Sequence, residues 1–277
     1  TEARAPRPLY PDFTAKAARV MGLQDDARYY SVLAGNVKKA FNKKFYNPET
    51  RSYGDFGSNI FALVLGVPDD RYDDVVATLK HEISVKYDNH LNTGIFGTQF
   101  FFETLALNGL NDIAYNAMNQ EDFPSFGNWI KQGATVTWEK WNGADSRNHP
   151  MFGGGLTWFY RILAGVNVDA ERPAYEHIII KPILDKRLPE VYYSHMTPYG
   201  EVMSEIRQTG RNLEMNVTVP VGSTATIYIP VGGNTSEVTE SGISVRDSKD
   251  VRFERIQDGN CIVRVPQGKY KFKVDNQ

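Results

Sequence analysis

The chain has 277 residues, of which 41% are hydrophobic and 23% are charged, so it can bury a substantial core and is not disordered by composition. Its formal net charge of -2 comes without a basic block, which argues against nucleic acid as the principal partner. Apolar runs stay short of the roughly 18–20 residues that a membrane span needs, and the single cysteine, Cys261, excludes an internal disulfide.

The first half of the chain is predicted to form helical hairpins. Three stretches, VMGLQDDARYYSVL, VLGVPDDRYDDVVATL and LNGLNDIAYNAM, each place a glycine directly after an apolar helical run: Gly22, Gly66 and Gly109. A glycine just past a helix end can adopt the left-handed conformation that closes the helix. These glycines recur about every 44 positions, which indicates a repeated helical unit. A further helix, LTWFYRILAG, is predicted to end at Gly165 in the same way.

Polar residues follow these glycines, and Asp25, Asp69 or Asp70, and Asn111 are predicted to cap the next helices. Two architectures fit the repeat, namely an α-solenoid and an arc of a closed α/α toroid. The helix around residues 100–107 is apolar on much of its circumference, which suits an inner helix of a toroid. About seven helices are predicted before residue 168, too few to close such a ring. If the architecture is a toroid, part of the barrel is therefore expected to lie outside this sequence.

Beyond residue 168 the periodicity changes from helical to strand-like. The stretches HIIIKPIL, LEMNVTVPV, ATIYIPV, CIVRVP and YKFKV are short, β-branched and partly alternating. The turn residues at 208–211 and 257–260 suit hairpins. Helices followed by strands indicate two separately packed units. We therefore predict a mainly α unit, either a solenoid or a partial α/α toroid, over residues 1–168 and a small antiparallel β-sandwich over residues 169–277.

One carboxylate, Glu139, lies between two tryptophans, Trp138 and Trp141, in the stretch GATVTWEKWNG. Such an acid often serves only to bond a neighbouring backbone group or arginine. Tryptophan rings, however, stack on sugar rings, and their N–H groups are expected to remain available for hydroxyls. A carboxylate in this setting can take a proton from water if it faces a substrate.

Two other stretches carry polar residues beside glycines. In HLNTGIFGTQFF, His90 and Thr93 precede a helix that is predicted to start near Thr98. One interpretation is a tight turn in which a threonine caps that helix. The other places His90 and Thr93 on the same rim as Glu139, where they bond substrate hydroxyls. In SRNHPMFGGGLTWFY, Asn148 is a candidate cap, and His149 is a candidate ligand to a sugar or a catalytic water. A lone histidine is more often structural, so the residues alone leave these alternatives open.

The stretches HLNTGIFGT, DFPSFGNWIKQGATVTWEKW and SRNHPMFGG…WFYRILAG together resemble, in order and spacing, bacterial α-L-rhamnosidases whose catalytic domain is a six-hairpin α/α-barrel. AFNKKFYNPETRSY fits the same pattern, so the resemblance covers most of residues 10–168. The stretch from RPAYEHIIIKP to MTPYGEV resembles the small C-terminal β-sandwich of that family.

This resemblance implies hydrolysis of terminal α-L-rhamnosyl groups, from glycosides or polysaccharides, with inversion of configuration. An inverting glycosidase needs an acid and a base roughly 6.5–9.5 Å apart. The glutamate of the family's Trp-Glu-x-Trp motif is the base, and here it is Glu139. Substrate contacts are implied for the remaining candidates: Trp138, Trp141, His90, Thr93, Asn148 and His149. Neither a cofactor nor a metal is expected, and a rhamnose-containing carbohydrate is the expected partner.

Two departures from the family pattern affect the expected activity. The general acid belongs to an upstream Asp-x-x-x-Arg-x-Glu-Arg-type motif that does not occur in this sequence. Ser58 and Asn59 stand where relatives often carry Gln-Thr, and Phe126 stands where they often carry Trp, which bears only on substrate detail. The chain is therefore expected to be the C-terminal part of a larger enzyme and to be almost inactive alone.

Three other hypotheses remain. The chain could be a non-catalytic carbohydrate-binding or structural module, or an α/α-toroid glycosidase for another sugar. A solenoid scaffold is a third, but it gives no reason for the Trp-Glu-x-Trp loop. Because the first residues, TEARAPRPLYPDF, contain no signal-peptide core, the compartment is open, as are aglycone preference, calcium dependence and oligomeric state.

Overall fold

A computed structural model describes residues 10–210, 212–231 and 237–275 of the chain. The chain forms two compact units, Thr1–Gly155 and Leu156–Gln277. The first unit is helical and the second is built mainly of strands, so the predicted order of helices followed by strands is confirmed. The division predicted at residue 168 follows a short helix of the second unit and stays a prediction.

The helical unit contains seven α-helices among the described residues, in agreement with the predicted number. They are α1 Tyr10–Val20, α2 Gln24–Phe45, α3 Phe56–Leu65, α4 Asp69–His81, α5 Ile95–Leu107, α6 Asn111–Met118 and α7 Phe126–Lys131. A π-helical turn, Glu82–Lys86, extends α4, and a 3-10 helix spans Pro150–Leu156. None of these described helices is long and apolar enough to cross a bilayer.

The helices pair as hairpins through the predicted glycines. Helix α1 packs against α2, α3 against α4, and α5 against α6. Gly22, Gly66 and Gly109 connect these pairs with φ angles of 77°, 109° and 74°, in the region that favours glycine. Helices α3 and α5 also pack against each other, and α5 is buried without interruption from Phe101 to Ala106. This inner row confirms the partial α/α toroid.

The predicted helix caps are wrong. Leucine or proline occupies the N-cap positions of α2, α4 and α6, and none of these residues makes a side-chain capping bond. Asp25, Asp69 and Asp70 lie inside the first helical turns, and Asn111 is the first residue of α6. Carboxylates in a first turn interact favourably with the positive end of the helix dipole. These aspartates therefore favour the helix starts by charge rather than by capping.

The second unit contains a π-helix, Trp158–Leu163, and the predicted terminating glycine, Gly165, follows two residues after its end (φ 75°). Eleven strands follow among the described residues. They are β1 Val166–Val168, β2 His177–Ile180, β3 Glu190–Thr197, β4 Gly200–Thr209, β5 Asn212–Val219, β6 Thr224–Pro230, β7 Glu237–Glu240, β8 Ile243–Ser244, β9 Arg252–Gln257, β10 Asn260–Val265 and β11 Gly268–Asp275.

These strands form two sheets that share one core. The five-stranded sheet has the order β1-β2-β6-β10-β9, and the six-stranded sheet has the order β3-β4-β5-β11-β7-β8. All described pairs are antiparallel except β2 with β6, which is parallel. Alternate residues from both sheets, such as Ile227 on β6 and Met215 on β5, are fully buried in the common core. The predicted β-sandwich is confirmed, with one parallel pair that the sequence did not indicate.

The predicted turn at residues 257–260 is confirmed. Asp258 and Gly259 join β9 to β10 with φ angles of 50° and 71°, as a tight two-residue turn requires. Strands β4 and β5 pair up to Thr209 and Asn212, and the prediction for residues 208–211 includes Arg211, which lies outside the described residues.

Candidate active site

An aromatic cluster supports the loop that carries the Trp-Glu-x-Trp motif. Trp129 from α7, Trp138 from the loop and Phe152 from the 3-10 helix form its buried centre, and Trp141 packs against them. The ring centroid of Trp141 lies 4.5 Å from that of Trp129 and 4.4 Å from that of Phe152. Such aromatic pairs add stability beyond the area that they bury. The loop therefore rests on a packed apolar base.

Hydrogen bonds close this loop at two levels. The Glu139 amide donates to the Ser146 carbonyl at 2.8 Å, and the Ser146 amide donates to Oε2 of Glu139 at 3.2 Å. The residues that flank this pair in the sequence are also bonded: the His149 amide donates to the Thr137 carbonyl at 2.8 Å, and the Thr137 hydroxyl donates to the His149 carbonyl at 2.6 Å. The motif segment and the Asn-His segment thus lie side by side, which places Glu139 and His149 in one loop structure.

The Glu139 side chain is half-buried and keeps acceptor capacity. Its carboxylate accepts only the Ser146 amide, and neither an ion pair nor a partner for Oε1 is found among the described residues. The adjacent Lys140 pairs instead with Asp145 at 2.6 Å. Glu139 is therefore oriented through one oxygen while the other can accept a proton or a hydrogen bond.

Trp138 is almost fully buried within the aromatic cluster. The side chain is 4% exposed, packs against Trp129 at 5.6 Å between centroids, and has the Arg147 guanidinium 4.7 Å from its ring centroid. A Cβ atom on Gly143, whose φ is 73°, would lie 2.8 Å from the indole ring. Glycine is therefore needed at 143 both for its conformation and for this close approach. In this structure Trp138 anchors the loop.

Trp141 joins the motif loop to the segment that contains Thr93. Its indole N–H donates to the Thr93 carbonyl at 2.9 Å, so the expectation that this N–H is free for a substrate hydroxyl is wrong. The Thr93 side chain is 4% exposed, and its hydroxyl lies 2.7 Å from that of Thr98. Because Thr98 donates to the Gly94 carbonyl at 3.1 Å, Thr93 is the donor in this pair. The two predicted stretches are therefore in contact, and the hydrogen bonds that join them are made within the protein.

The helix predicted to start near Thr98 begins earlier, at Ile95. Gly94 occupies its N-cap position and makes no side-chain capping bond, so Thr98 is not the cap. Thr98 lies in the first turn, where its hydroxyl bonds backward to the Gly94 carbonyl, as hydroxyls in helices often do. The early start leaves Thr93 in the segment that Trp141 contacts.

His90 is engaged at both ring nitrogens. Nδ1 lies 3.1 Å from the Tyr87 carbonyl and 3.0 Å from the Asp88 carbonyl, and Nε2 lies 2.9 Å from Oδ1 of Asp122. Burial lowers the pKa of His90, but the hydrogen bonds to Asp122 and to the Tyr87 carbonyl outweigh it, so the pKa is raised. All three partners are acceptors, which favours the imidazolium form. His90 therefore ties two loops together.

This pair predicts a pH-dependent contribution to stability. Because the pKa of His90 is raised in the folded chain, its contribution is fully present below the unfolded value of about 6.5 and is lost as pH rises through the folded value. Asp122→Asn should lower the thermal unfolding midpoint of the helical unit more at about pH 6 than at about pH 8.5. Circular dichroism melts of both proteins measure this; an equal decrease at both pH values would contradict it.

The Asn148–His149 segment offers the least engaged polar groups. Asn148 is exposed, and its side-chain amide makes no hydrogen bond within the described part of the chain. His149 is half-buried, and its Nδ1 is buried without a hydrogen-bond partner among the same residues. A buried nitrogen without a partner is costly unless a ligand or water supplies one. These two side chains are thus better placed than His90 or Thr93 to bind a ligand.

Several supporting residues were not identified from the sequence. Trp129, Phe152, Ser146 and Asp122 position the candidate residues, and all four lie within the quoted stretches without having been singled out there. Trp129 and Phe152 could have been found from the enrichment in aromatic residues before and after the loop. Among the described residues, no group of three or more His, Cys, Asp or Glu side chains is arranged to hold a metal ion.

Comparison with protein families gives two matches that together cover most of the chain. The family model described as the bacterial alpha-L-rhamnosidase 6 hairpin glycosidase domain matches residues 11–163. That of the bacterial alpha-L-rhamnosidase C-terminal domain matches residues 165–244.

Individual relatives have the same description. An alpha-L-rhamnosidase from Formosa agariphila is 29% identical over 275 residues, covering 94% of this chain and 29% of the relative. One from Streptomyces avermitilis is 27% identical over 277 residues, covering 95% of this chain and 25% of the relative. The chain thus spans between a quarter and three tenths of the length of these curated relatives.

Solved structures agree with the fold. The alpha-L-rhamnosidase from Dictyoglumus thermophilum is 33% identical with a TM-score of 0.85, covering 95% of this chain and 30% of that one. The Streptomyces avermitilis enzyme complexed with L-rhamnose is 26% identical with a TM-score of 0.81, covering 96% of this chain and 26% of that one.

Proposed function

This chain belongs to the bacterial α-L-rhamnosidase six-hairpin glycosidase family, and we propose that its parent protein hydrolyses terminal α-L-rhamnosyl groups with Glu139 as the general base. Membership follows from a family match to more than half of the chain. The observation that supports the assignment to Glu139 is its setting: a carboxylate fixed by the Ser146 amide, with its second oxygen unpartnered among the described residues.

In the proposed reaction Glu139 acts on water. The carboxylate takes a proton from a water molecule as the water oxygen forms a bond to the anomeric carbon, and the glycosidic C–O bond breaks on the opposite face. A general acid protonates the departing oxygen, so each proton is accounted for. The released sugar has the inverted configuration at its anomeric carbon. Asn148 and His149, adjacent to the motif loop, are the candidates to bind sugar hydroxyls.

We infer that the general acid is supplied by a part of the parent barrel outside this sequence. The acidic motif of the family does not occur here, and the chain spans at most 30% of the relatives reported above. Helix α1 also leaves large apolar side chains exposed, among them Phe13 at 57% and Val20 at 90%. Further helices of the same barrel would cover them.

A panel of aryl glycosides tests the substrate and the stereochemistry together. The parent protein should hydrolyse the α-L-rhamnoside much faster than the α-L-fucoside or α-D-glucoside, and proton NMR should detect β-L-rhamnose as the first product. A first product with the α configuration would contradict inversion. Preference for another sugar would favour a toroid glycosidase of different specificity, and rhamnose binding without turnover would favour a binding module.

A further inference from the structure

A cationic pocket lies in the helical unit between the C-terminal half of α2 and the start of α4. Its volume is about 660 Å³, within the range of small-molecule sites. Helix α2 lines it with residues spaced three or four apart, as one face of a helix requires: Gly35, Lys38, Lys39, Asn42 and Lys43. Arg71 and Pro68 form part of the opposite wall. The lining therefore contains four cations and no acid.

The positive charges of the three lysines are not neutralised by acidic side chains of the described residues. Lys38, Lys39 and Lys43 form no ion pair with any of the described residues. Lys39 and Lys43 are four residues apart, a spacing at which like charges destabilise a helix. The negative end of the helix dipole accounts for Lys43 in the last turn of α2, but that effect does not extend to Lys38 and Lys39. Fold stability thus gives no reason for the cluster.

The pocket wall is held in place before any ligand binds. Buried Asn42 donates to the Gly66 carbonyl at 3.2 Å and accepts the Tyr53 hydroxyl, so it joins α2 to the segment before α4. The Arg71 guanidinium lies 4.4 Å from the ring centroid of Tyr46, and its ion pair to Asp70 is long, at 3.7 Å. The Tyr46 hydroxyl makes no hydrogen bond within the described residues. The backbone of α2 and the Arg71 guanidinium are therefore held in defined positions beside the pocket.

We propose that this pocket binds the anionic group, a carboxylate or sulfate, of an acidic saccharide. Lysine and arginine donors form charge-assisted bonds with such oxyanions, and the Tyr46 hydroxyl and the proline rings suit the rest of a sugar. The saccharide assignment rests on the proposed glycosidase function, whereas the anion assignment rests on the pocket alone. The site would hold a charged unit of a polysaccharide that also carries rhamnosyl groups.

Calorimetric titration of the parent protein with D-glucuronate, D-glucose and inorganic sulfate tests this site without requiring hydrolysis. Glucuronate should bind saturably, glucose should not bind at the same concentration, and sulfate should compete weakly. Lys38→Gln combined with Lys43→Gln should weaken glucuronate binding at least about tenfold, because charge-assisted bonds are lost. Lys44→Gln, a change on the same helix outside the pocket lining, should leave the affinity unchanged.

Equal behaviour of glucuronate and glucose, or unchanged glucuronate affinity in the double variant, would overturn the proposal. Sulfate binding without glucuronate binding would overturn its saccharide part. The rhamnoside assay is separate, so a parent that binds glucuronate but hydrolyses no rhamnoside would refute the proposed function and leave the anion site standing.

Discussion

Glu139→Gln in the parent protein should lower kcat for an aryl α-L-rhamnoside by about 10²–10⁴, the range associated with loss of general acid–base catalysis. The glutamine side chain keeps an oxygen that can accept the Ser146 amide, so the loop should stay closed. What it loses is the ability to take a proton from water. KM should change little, because the substrate contacts proposed for Asn148 and His149 are retained. Steady-state kinetics measure both constants.

Asp145→Asn is the matched control for this prediction. It also removes one carboxylate from the same loop, but that carboxylate is exposed and pairs with Lys140. Exposed ion pairs contribute little to stability, so kcat should stay within about threefold of the wild-type value. Wild-type turnover by Glu139→Gln, or equal losses in both variants, would remove Glu139 from the proposed role.

The isolated 277-residue chain should show almost no α-L-rhamnosidase activity. Loss of a general acid alone lowers rates by about 10²–10⁴, and incomplete walls around the sugar lower them further. The deficit relative to the parent should be larger for an alkyl rhamnoside than for a nitrophenyl rhamnoside, because an alkoxide leaves poorly without protonation. Assays of both proteins on both substrates measure this difference.

Folding must be checked alongside this assay. A cooperative thermal transition of the isolated chain would show that inactivity reflects missing groups and not an unfolded protein. Partial recovery of activity on adding the remainder of the parent barrel would support the proposed division of catalytic groups. Turnover by the isolated chain at the parent's rate would refute the inference that the general acid lies elsewhere.

Local rules predicted much of the fold. Glycine at the helix ends, strand patterns such as LEMNVTV and the Asp258–Gly259 turn depend on nearby residues, and all are confirmed. Strand β3, with the sequence EVYYSHMT, was not predicted because most of its residues are partly or fully exposed and it lacks clear alternation. The parallel pairing of β2 with β6 joins distant segments, which no local pattern encodes.

The sequence indicated candidate residues for the site but did not predict the contacts that they make. The Trp141–Thr93 hydrogen bond joins residues 48 positions apart, a contact that no motif predicts. His90 forms a hydrogen bond with Asp122, 32 positions away, and a local motif cannot predict this contact. Trp138 was expected to face a sugar, whereas its burial depends on Trp129 and Arg147. Side-chain direction is a product of tertiary packing.

The pH dependence of kcat/KM in the parent protein tests the role of Glu139 most directly. A general base must be deprotonated in the free enzyme, so the wild-type profile should fall on its acidic side. In Glu139→Gln the residual activity should lose this acidic fall, because the titrating group is gone. An acidic limb that persists unchanged in the variant would assign the base to another residue and contradict the mechanism.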